Sequence, residues 1–256
     1  MRQILAVLKK EVAVIFSSPI FYASTFIFII LSGYFFYSNT AYFSMISLQA
    51  SRNPFIAEQL NMTDAVVKPF FGDLSIVFLL MLPLITMRLY SEEKKSGTIE
   101  LLFTYPISDA AALTGKFLAT MVVVLTMLAG TIPCMVIVSV FGTLEWGLVI
   151  SGYLGIIFMA GGFTALGIFT SSITENQIVA AVLSFGALLF LWVLGWAKAI
   201  AGPVTGEVLE YISIVKHVDS FTMGLLDSRD VVFYLLFIGF WLFLTHRFLN
   251  TRYWRG

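Results

Sequence analysis

Residues Ser91 to Leu102 read SEEKKSGTIELL, with five ionised side chains gathered around Gly97. The chain around them is 59% hydrophobic and only 12% charged over its 256 residues, about half the charge usual for soluble domains. Its mean hydropathy is strongly positive. Such a composition places the chain in a membrane. The useful unit is therefore the apolar run of roughly 20 residues, which suffices to cross a hydrocarbon core about 30 Å thick. The polar knot is a connection between two such runs.

Working outward from the knot, the run before it predicts a span over 70–89, with Asp73 near one end and Pro83 inside, where the ring removes a backbone donor and kinks the helix. The run after it predicts a span over 112–140. Charge-free stretches predict further spans over 148–172 and 177–197, and the last run predicts one over 231–249. Upstream, Ser17, Ser18 and Pro19 punctuate an apolar stretch, which predicts a span over 20–37 preceded by an interfacial helix up to Phe16. That helix puts Leu5, Leu8, Val12 and Ile15 on one face. Arg2, Lys9 and Lys10 precede an apolar run too long for a secretory signal and without a small-x-small cleavage site, so an uncleaved first helix is expected. The resulting expectation is an all-α polytopic protein with one membrane domain over 1–256, six transmembrane helices, the N-terminal interfacial helix and a short helix in the knot.

Six crossings put both termini and the knot on one side. That side holds Arg2, Lys9, Lys10, Arg88, Lys94, Lys95, Lys116, Arg247, Arg252 and Arg255, ten of the fifteen basic residues. The bias of basic residues toward the cytoplasm then predicts a multi-pass protein of the cytoplasmic (inner) membrane with both termini inside. The opposite side receives two longer segments, 38–69 and 198–230. The second contains LEYISIVKHVDSFTMGLL (Leu209 to Leu226), whose apolar spacing predicts short helices at the outer interface.

Within the knot, the second span is expected to run on as helix through Arg88 and Glu92 until Ser96 and Gly97. Gly97 permits a positive-φ turn there. Thr98 to Phe103 then form about one and a half helical turns, with Ile99, Leu102 and Phe103 on one side, and Pro106 ends them. Ser108 and Asp109 are N-cap candidates for the next span. Two readings stand side by side. One is a solvated loop whose charges enforce topology. The other is a docking element in which Ile99, Leu102 and Phe103 fill a partner's groove while Glu92, Glu93 and Glu100 set register.

The stretch MRLYSEEKKSGTIELLFTYPISDAAALTGKFLA (Met87 to Ala119) resembles the signature loop of type 2 ABC transporter (ABC-2) permeases. The likeness extends to the six spans, the long outer segment before the last one, and SSITENQIVAA between spans four and five. FFGDLSIVFLLMLPLITMRLYSEE (Phe70 to Glu93) is similar to permeases of the gliding-motility-associated type. The resemblance implies a permease subunit that holds the membrane path and is not itself an enzyme. It implies a second permease copy, identical or related, and two ATP-binding cassette ATPase subunits. The ATPases would bind ATP and Mg and act on the short coupling helix, so that Glu92, Glu93, Gly97, Thr98, Ile99, Glu100, Leu101, Leu102 and Phe103 form the ATPase-coupling set. An extracytoplasmic auxiliary subunit on the outer segments is a further candidate partner, besides membrane lipid.

The residues agree that no nucleotide site is present. TGKF at Thr114 to Phe117 has Ala110 where a P-loop needs its first glycine and Phe117 where it needs the Mg-binding hydroxyl. The alternative class is a self-sufficient channel or ion-coupled carrier, for which ionisable residues at mid-span are expected; the span centres are almost free of them.

Other candidates are fewer. Asp73 is an interfacial anchor or an outer-gate residue. Glu175, Asn176 and Gln177 form a polar turn that is either a simple loop or, by the resemblance, a second cytoplasmic contact with the ATPase. Zero formal net charge excludes bulk electrostatic attraction to nucleic acid. The single Cys134 excludes an intrachain disulfide and reads as packing. His217 and His246, expected on opposite sides, do not make a metal site, and no HExxH occurs. The small residues Gly152, Gly155, Ala160, Gly161, Gly162, Ala165 and Gly167 allow close helix packing within the protomer or across a permease dimer. Trp192, Trp196, Trp241 and Trp254 suit interfacial belts, the alternative being stacking against substrate.

Overall fold

The computed structural model describes residues 2–50, 61–98, 108–199 and 202–252. Among them no strand occurs. The helices are α1 (Arg2–Phe16), α2 (Pro19–Ala50), α3 (Lys68–Thr86), α4 (Arg88–Lys95), α5 (Asp109–Ala129), α6 (Ile132–Phe141), α7 (Trp146–Ile173), α8 (Gln177–Val193), α9 (Pro203–Ile212), α10 (Ile214–Thr222) and α11 (Ser228–Arg252). A π-helical turn, Thr63–Val67, leads into α3, and a 3-10 turn, Leu194–Ala199, follows α8.

Six helical stretches among the described residues are long and apolar enough to cross a membrane: Pro19–Ala50, Thr63–Lys95, Asp109–Phe141, Trp146–Ile173, Gln177–Trp196 and Ser228–Asn250. The chain is a multi-pass, all-α membrane protein, as its sequence predicts. The expected boundaries of the first span were short. The 32-residue α2 is about 48 Å long, because Ser38 to Ala50 contain neither proline nor glycine and the polar residues there lower hydropathy without breaking a helix. The third span is divided where Gly130 and Thr131 separate α5 from α6, with Pro133 in the first turn of α6, a place where its missing N–H is harmless. The second span changes element at Met87, whose N–H reaches back to Pro83 O.

The fourth span, α7, is the axis of the bundle. It packs against α3, α5, α8, α10 and α11, and Ile156, Met159, Ala160, Phe163 and Leu166 on it are fully or almost fully buried. Its small residues serve contacts within this chain: a Cβ at Gly155 would stand 2.5 Å from Phe221 Cβ in α10. Cys134 is half-buried and packs against the main core. Two of the expected belt tryptophans also pack inward. Trp192 lies against the core and Trp241 sits 5.0 Å from the Phe169 ring, whereas Trp196 is exposed. Trp254 lies outside the described residues.

The predicted outer segment before the last span contains α9 and α10, as expected from its spacing. The N-terminal helix also forms, with Leu5 exposed and Leu8, Val12 and Ile15 half-open. What the pattern did not announce is that a second face of α1, about a quarter turn away, carries Val7 and Glu11 into the protein. A Cβ at Gly115 would stand 2.6 Å from Val7 Cγ1, so only glycine at that place in α5 admits α1 this closely.

A charged stem beneath the predicted coupling helix

The arm that carries the knot is built from α3, Met87 and α4. At its tip Gly97 has φ +71°, the left-handed conformation expected of it. The carbonyls that α4 leaves without intrahelical partners are met locally. Ser96 N–H and Ser96 Oγ both donate to Glu92 O, at 3.0 and 2.8 Å, Gly97 N–H donates to Lys94 O at 3.1 Å, and Thr98 Oγ1 donates to Glu93 O at 3.3 Å. The helix therefore stops with its end capped. On the return, Ser108 caps α5, its Oγ accepting from Ala111 N–H at 3.3 Å, which agrees with its predicted role. Of the coupling set, Glu92, Glu93, Gly97 and Thr98 lie in this stem. Ile99, Glu100, Leu101, Leu102 and Phe103 lie outside the described residues.

The stem is tied down by ions. Lys116, two turns inside the capped start of α5, is 1% exposed. Its ammonium spends all three donors: Glu93 Oε1 of α4 at 2.8 Å, Leu89 O of α4 at 2.8 Å and Glu11 Oε1 of α1 at 3.1 Å. The Tyr90 ring lies 5.0 Å from the same nitrogen, close enough for a cation–π contribution. Lys10 closes the group from the solvent side, 3.2 Å from Glu11 and 3.4 Å from Glu93. Partial burial opposes its charge, yet the two carboxylates outweigh that and hold its amine above the ordinary lysine value. Two carboxylates and two ammonium groups balance, which lets a cluster this dry persist.

A second set of bonds seats the arm on the end of α7. Ser171 Oγ donates to Met87 O at 2.8 Å and accepts from Tyr90 N–H at 3.0 Å and Ser91 N–H at 3.1 Å. Ser91 Oγ donates to Ser171 O at 3.1 Å, and Lys94 Nζ donates to Ser172 O. These are the backbone groups freed where the helix is interrupted at Met87. One serine thus repairs the break and joins two spans. Leu89 and Tyr90 complete the seat in a small apolar cluster with Leu113, Ile168 and Leu249.

The predicted second contact is close by. Asn176 Oδ1 caps α8, accepting from Ile178 N–H at 2.9 Å, and Glu175, Asn176 and Gln177 line one shallow hollow with Lys95 of the arm. Asp73 is elsewhere, twenty residues before Glu93 along the same span, about 30 Å at helical rise. Its Oδ2 accepts from Asn39 Nδ2 of α2 at 2.8 Å, which makes it a tie between two spans at the far end.

Sequence reasoning missed Glu11, Ser171 and the structural role of Lys116, which it weighed as a topology charge and as part of a P-loop-like TGKF. A lone lysine directly after a glycine, two turns into an otherwise apolar stretch of helix, is the available signal. It also found no partner for His217. That ring is buried between α9, α10 and α11, with Nδ1 2.6 Å from Asp230 Oδ1, Nε2 2.9 Å from Tyr211 O and its face stacked 3.8 Å from the Phe233 ring.

Among the described residues, six helices of membrane-spanning length and a charged helical arm clasped at one end define a polytopic membrane protein. Residues 5–244 match the profile of the ABC-2 family transporter proteins. The chain belongs to that family, whose members are transmembrane components of transporters that work with ATP-binding subunits. No curated protein matches the chain.

Proposed function

We propose that this chain is the permease subunit of an ABC transporter of the cytoplasmic membrane, with both termini cytoplasmic and a substrate moved by ATP hydrolysed on separate subunits. Two ATPase subunits bind ATP and Mg, and a second permease, identical or related, completes the complex. The similarity of Phe70 to Glu93 to gliding-motility-associated permeases supports that subtype. Force enters at the segment Thr98 to Phe103. It passes through α4, which Lys116 and Ser171 fasten to α1, α5 and α7, and the fourth span carries it to the rest of the bundle. The hollow shared by Lys95 and Glu175 to Gln177 is a second contact for the ATPase, and the Asp73–Asn39 tie acts at the outer gate.

The observation that carries this reading is the Lys116 cluster, because a loop that only enforced topology needs no buried three-way ionic joint at its root. The test is affinity purification of the tagged chain from its native membrane, followed by measurement of ATP hydrolysis in the purified fraction. An ATP-binding cassette subunit is expected to copurify. Gly97→Pro and Glu100→Lys are expected to leave the chain inserted while abolishing ATPase association or its stimulation. Purification without any such subunit, or a stably inserted Gly97→Pro chain with undiminished stimulation, would overturn the reading.

A further inference from the structure

Between α1, the first turns of α2 and the arm lies a cleft of about 840 Å³, within the size range of small-molecule sites. Its wall is apolar, formed by Ile15, Ile20, Phe21, Ile85 and Leu89. Its rim carries Lys10 and Arg88 beside Glu92 and Glu93. The apolar wall calls for a hydrocarbon group and the rim for a polar head. The rim's charges cancel, so an anion alone would meet the two carboxylates and a cation alone the two basic groups. A head bearing both signs is matched by both halves.

Two rim atoms narrow the chemistry. Arg88 Nη1 donates to Ser18 Oγ at 2.8 Å, but Nε, 3.3 Å from Glu92 Oε2, makes no hydrogen bond among the described residues. Glu93 Oε1 accepts from Lys116 and Lys10, while the buried Glu93 Oε2 has no donor among the described residues. Polar groups withdrawn from water are paired as a rule. Here one guanidinium N–H and one carboxylate oxygen, Arg88 Nε and Glu93 Oε2, make no hydrogen bond among the described residues, although each group is otherwise paired.

We propose that this cleft binds one zwitterionic phospholipid of the surrounding bilayer with a primary ammonium head. Its phosphate lies at Arg88 and Ser18, its ammonium at Glu92 and Glu93, and an acyl chain along Ile20, Phe21 and Ile85. A choline head fits less well because it has no N–H to give Glu93. The position agrees: the cleft opens where α2 begins and α3 ends, at headgroup depth for a chain whose spans run through those helices. The proposal requires only that the chain spans a membrane, and it stands or falls apart from the ATPase reading.

The experiment is native mass spectrometry of the full chain released from nanodiscs that contain equal amounts of phosphatidylethanolamine, phosphatidylcholine and phosphatidylglycerol. One phosphatidylethanolamine per chain is expected to be retained in preference to the other two. Arg88→Gln is expected to reduce that retention roughly tenfold, the worth of a charge-assisted hydrogen bond. Ile20→Trp, which fills the apolar wall without touching a charge, is expected to abolish it while helix content by circular dichroism is unchanged. Equal retention of the three lipids, preference for phosphatidylglycerol or phosphatidylcholine, or undiminished retention by a folded Ile20→Trp chain would overturn the proposal.

Discussion

Lys116 Nζ of α5 lies 2.8 Å from Glu93 Oε1 of α4, and the same ammonium reaches Glu11 of α1 at 3.1 Å. Residues more than a hundred positions apart in the chain thereby share one buried cation. Removing the cation leaves the two carboxylates with only the more exposed Lys10 between them, and breaking a buried ion pair from one side costs up to about 3–5 kcal/mol. Lys116→Met is therefore expected to lower thermal stability in detergent clearly. Glu11→Gln keeps a hydrogen-bond acceptor and leaves Glu93 in place, so it is expected to be milder. Its distinctive effect is faster amide exchange across residues 2–16 with little change in α7, which hydrogen exchange with mass spectrometry reads directly.

Gly115 makes a separate prediction about the same helix. Because a side chain there would meet Val7 at 2.6 Å, Gly115→Val must push α1 off α5 or strain both, at about 1–3 kcal/mol. A spin-label pair on α1 and α5 is expected to show a longer distance in Gly115→Val than in the parent chain. An unchanged distance with unchanged stability would refute the close approach.

The six-helix plan was legible because a bilayer leaves so few options: every long apolar run must become a span, and basic residues must gather at one set of ends. The turn at Gly97 and the cap at Ser108 were legible for a local reason, since positive φ and N-capping select residue types directly. The ionic clasp was not, because its members come from three helices and nothing local ties Glu11 to Lys116. Hydropathy alone ended the first span at Tyr37, although the hydrogen-bond ladder of α2 continues through polar residues to Ala50. His217 was invisible for the same reason as Lys116: its partner, Asp230, belongs to the next helix.

Ser171 supports the interrupted backbone of the arm rather than its charges. Without its hydroxyl, Tyr90 N–H and Ser91 N–H lose their acceptor in a buried place. Each unsatisfied group costs on the order of 1–3 kcal/mol. Ser171→Ala is expected to destabilise the chain within that range and to speed exchange of the Tyr90 and Ser91 amides, while amides of α1 stay protected. Ser171→Thr, which keeps the oxygen, is expected to restore much of the loss. Equal exchange in the alanine variant and the parent would show that the serine seat carries no load.

At the other end of the bundle, His217 joins three helices through one ring. Asp230, 7% exposed, has its carboxylate against Nδ1, and Tyr211 O, among the last carbonyls of α9, is met by Nε2, which donates to it. Tyr234 Oη adds a parallel tie by donating to Ile214 O at 2.8 Å. His217→Phe preserves the stack on Phe233 but strips both polar contacts, leaving the nearly buried Asp230 side chain and a helix-end carbonyl without the ring nitrogens that meet them. A loss of about 2–4 kcal/mol is expected for that pair of orphaned groups. Asp230→Asn keeps a hydrogen-bonding side chain opposite the ring, so its loss is expected to be smaller. The loosened region should be α9 and α10 and not the arm. Limited proteolysis is the measurement: new cleavage within 203–222 in His217→Phe, with 88–95 still protected, is the expected pattern. Cleavage that rises equally at both ends would mean that the ring supports the whole bundle and not α9 and α10 alone.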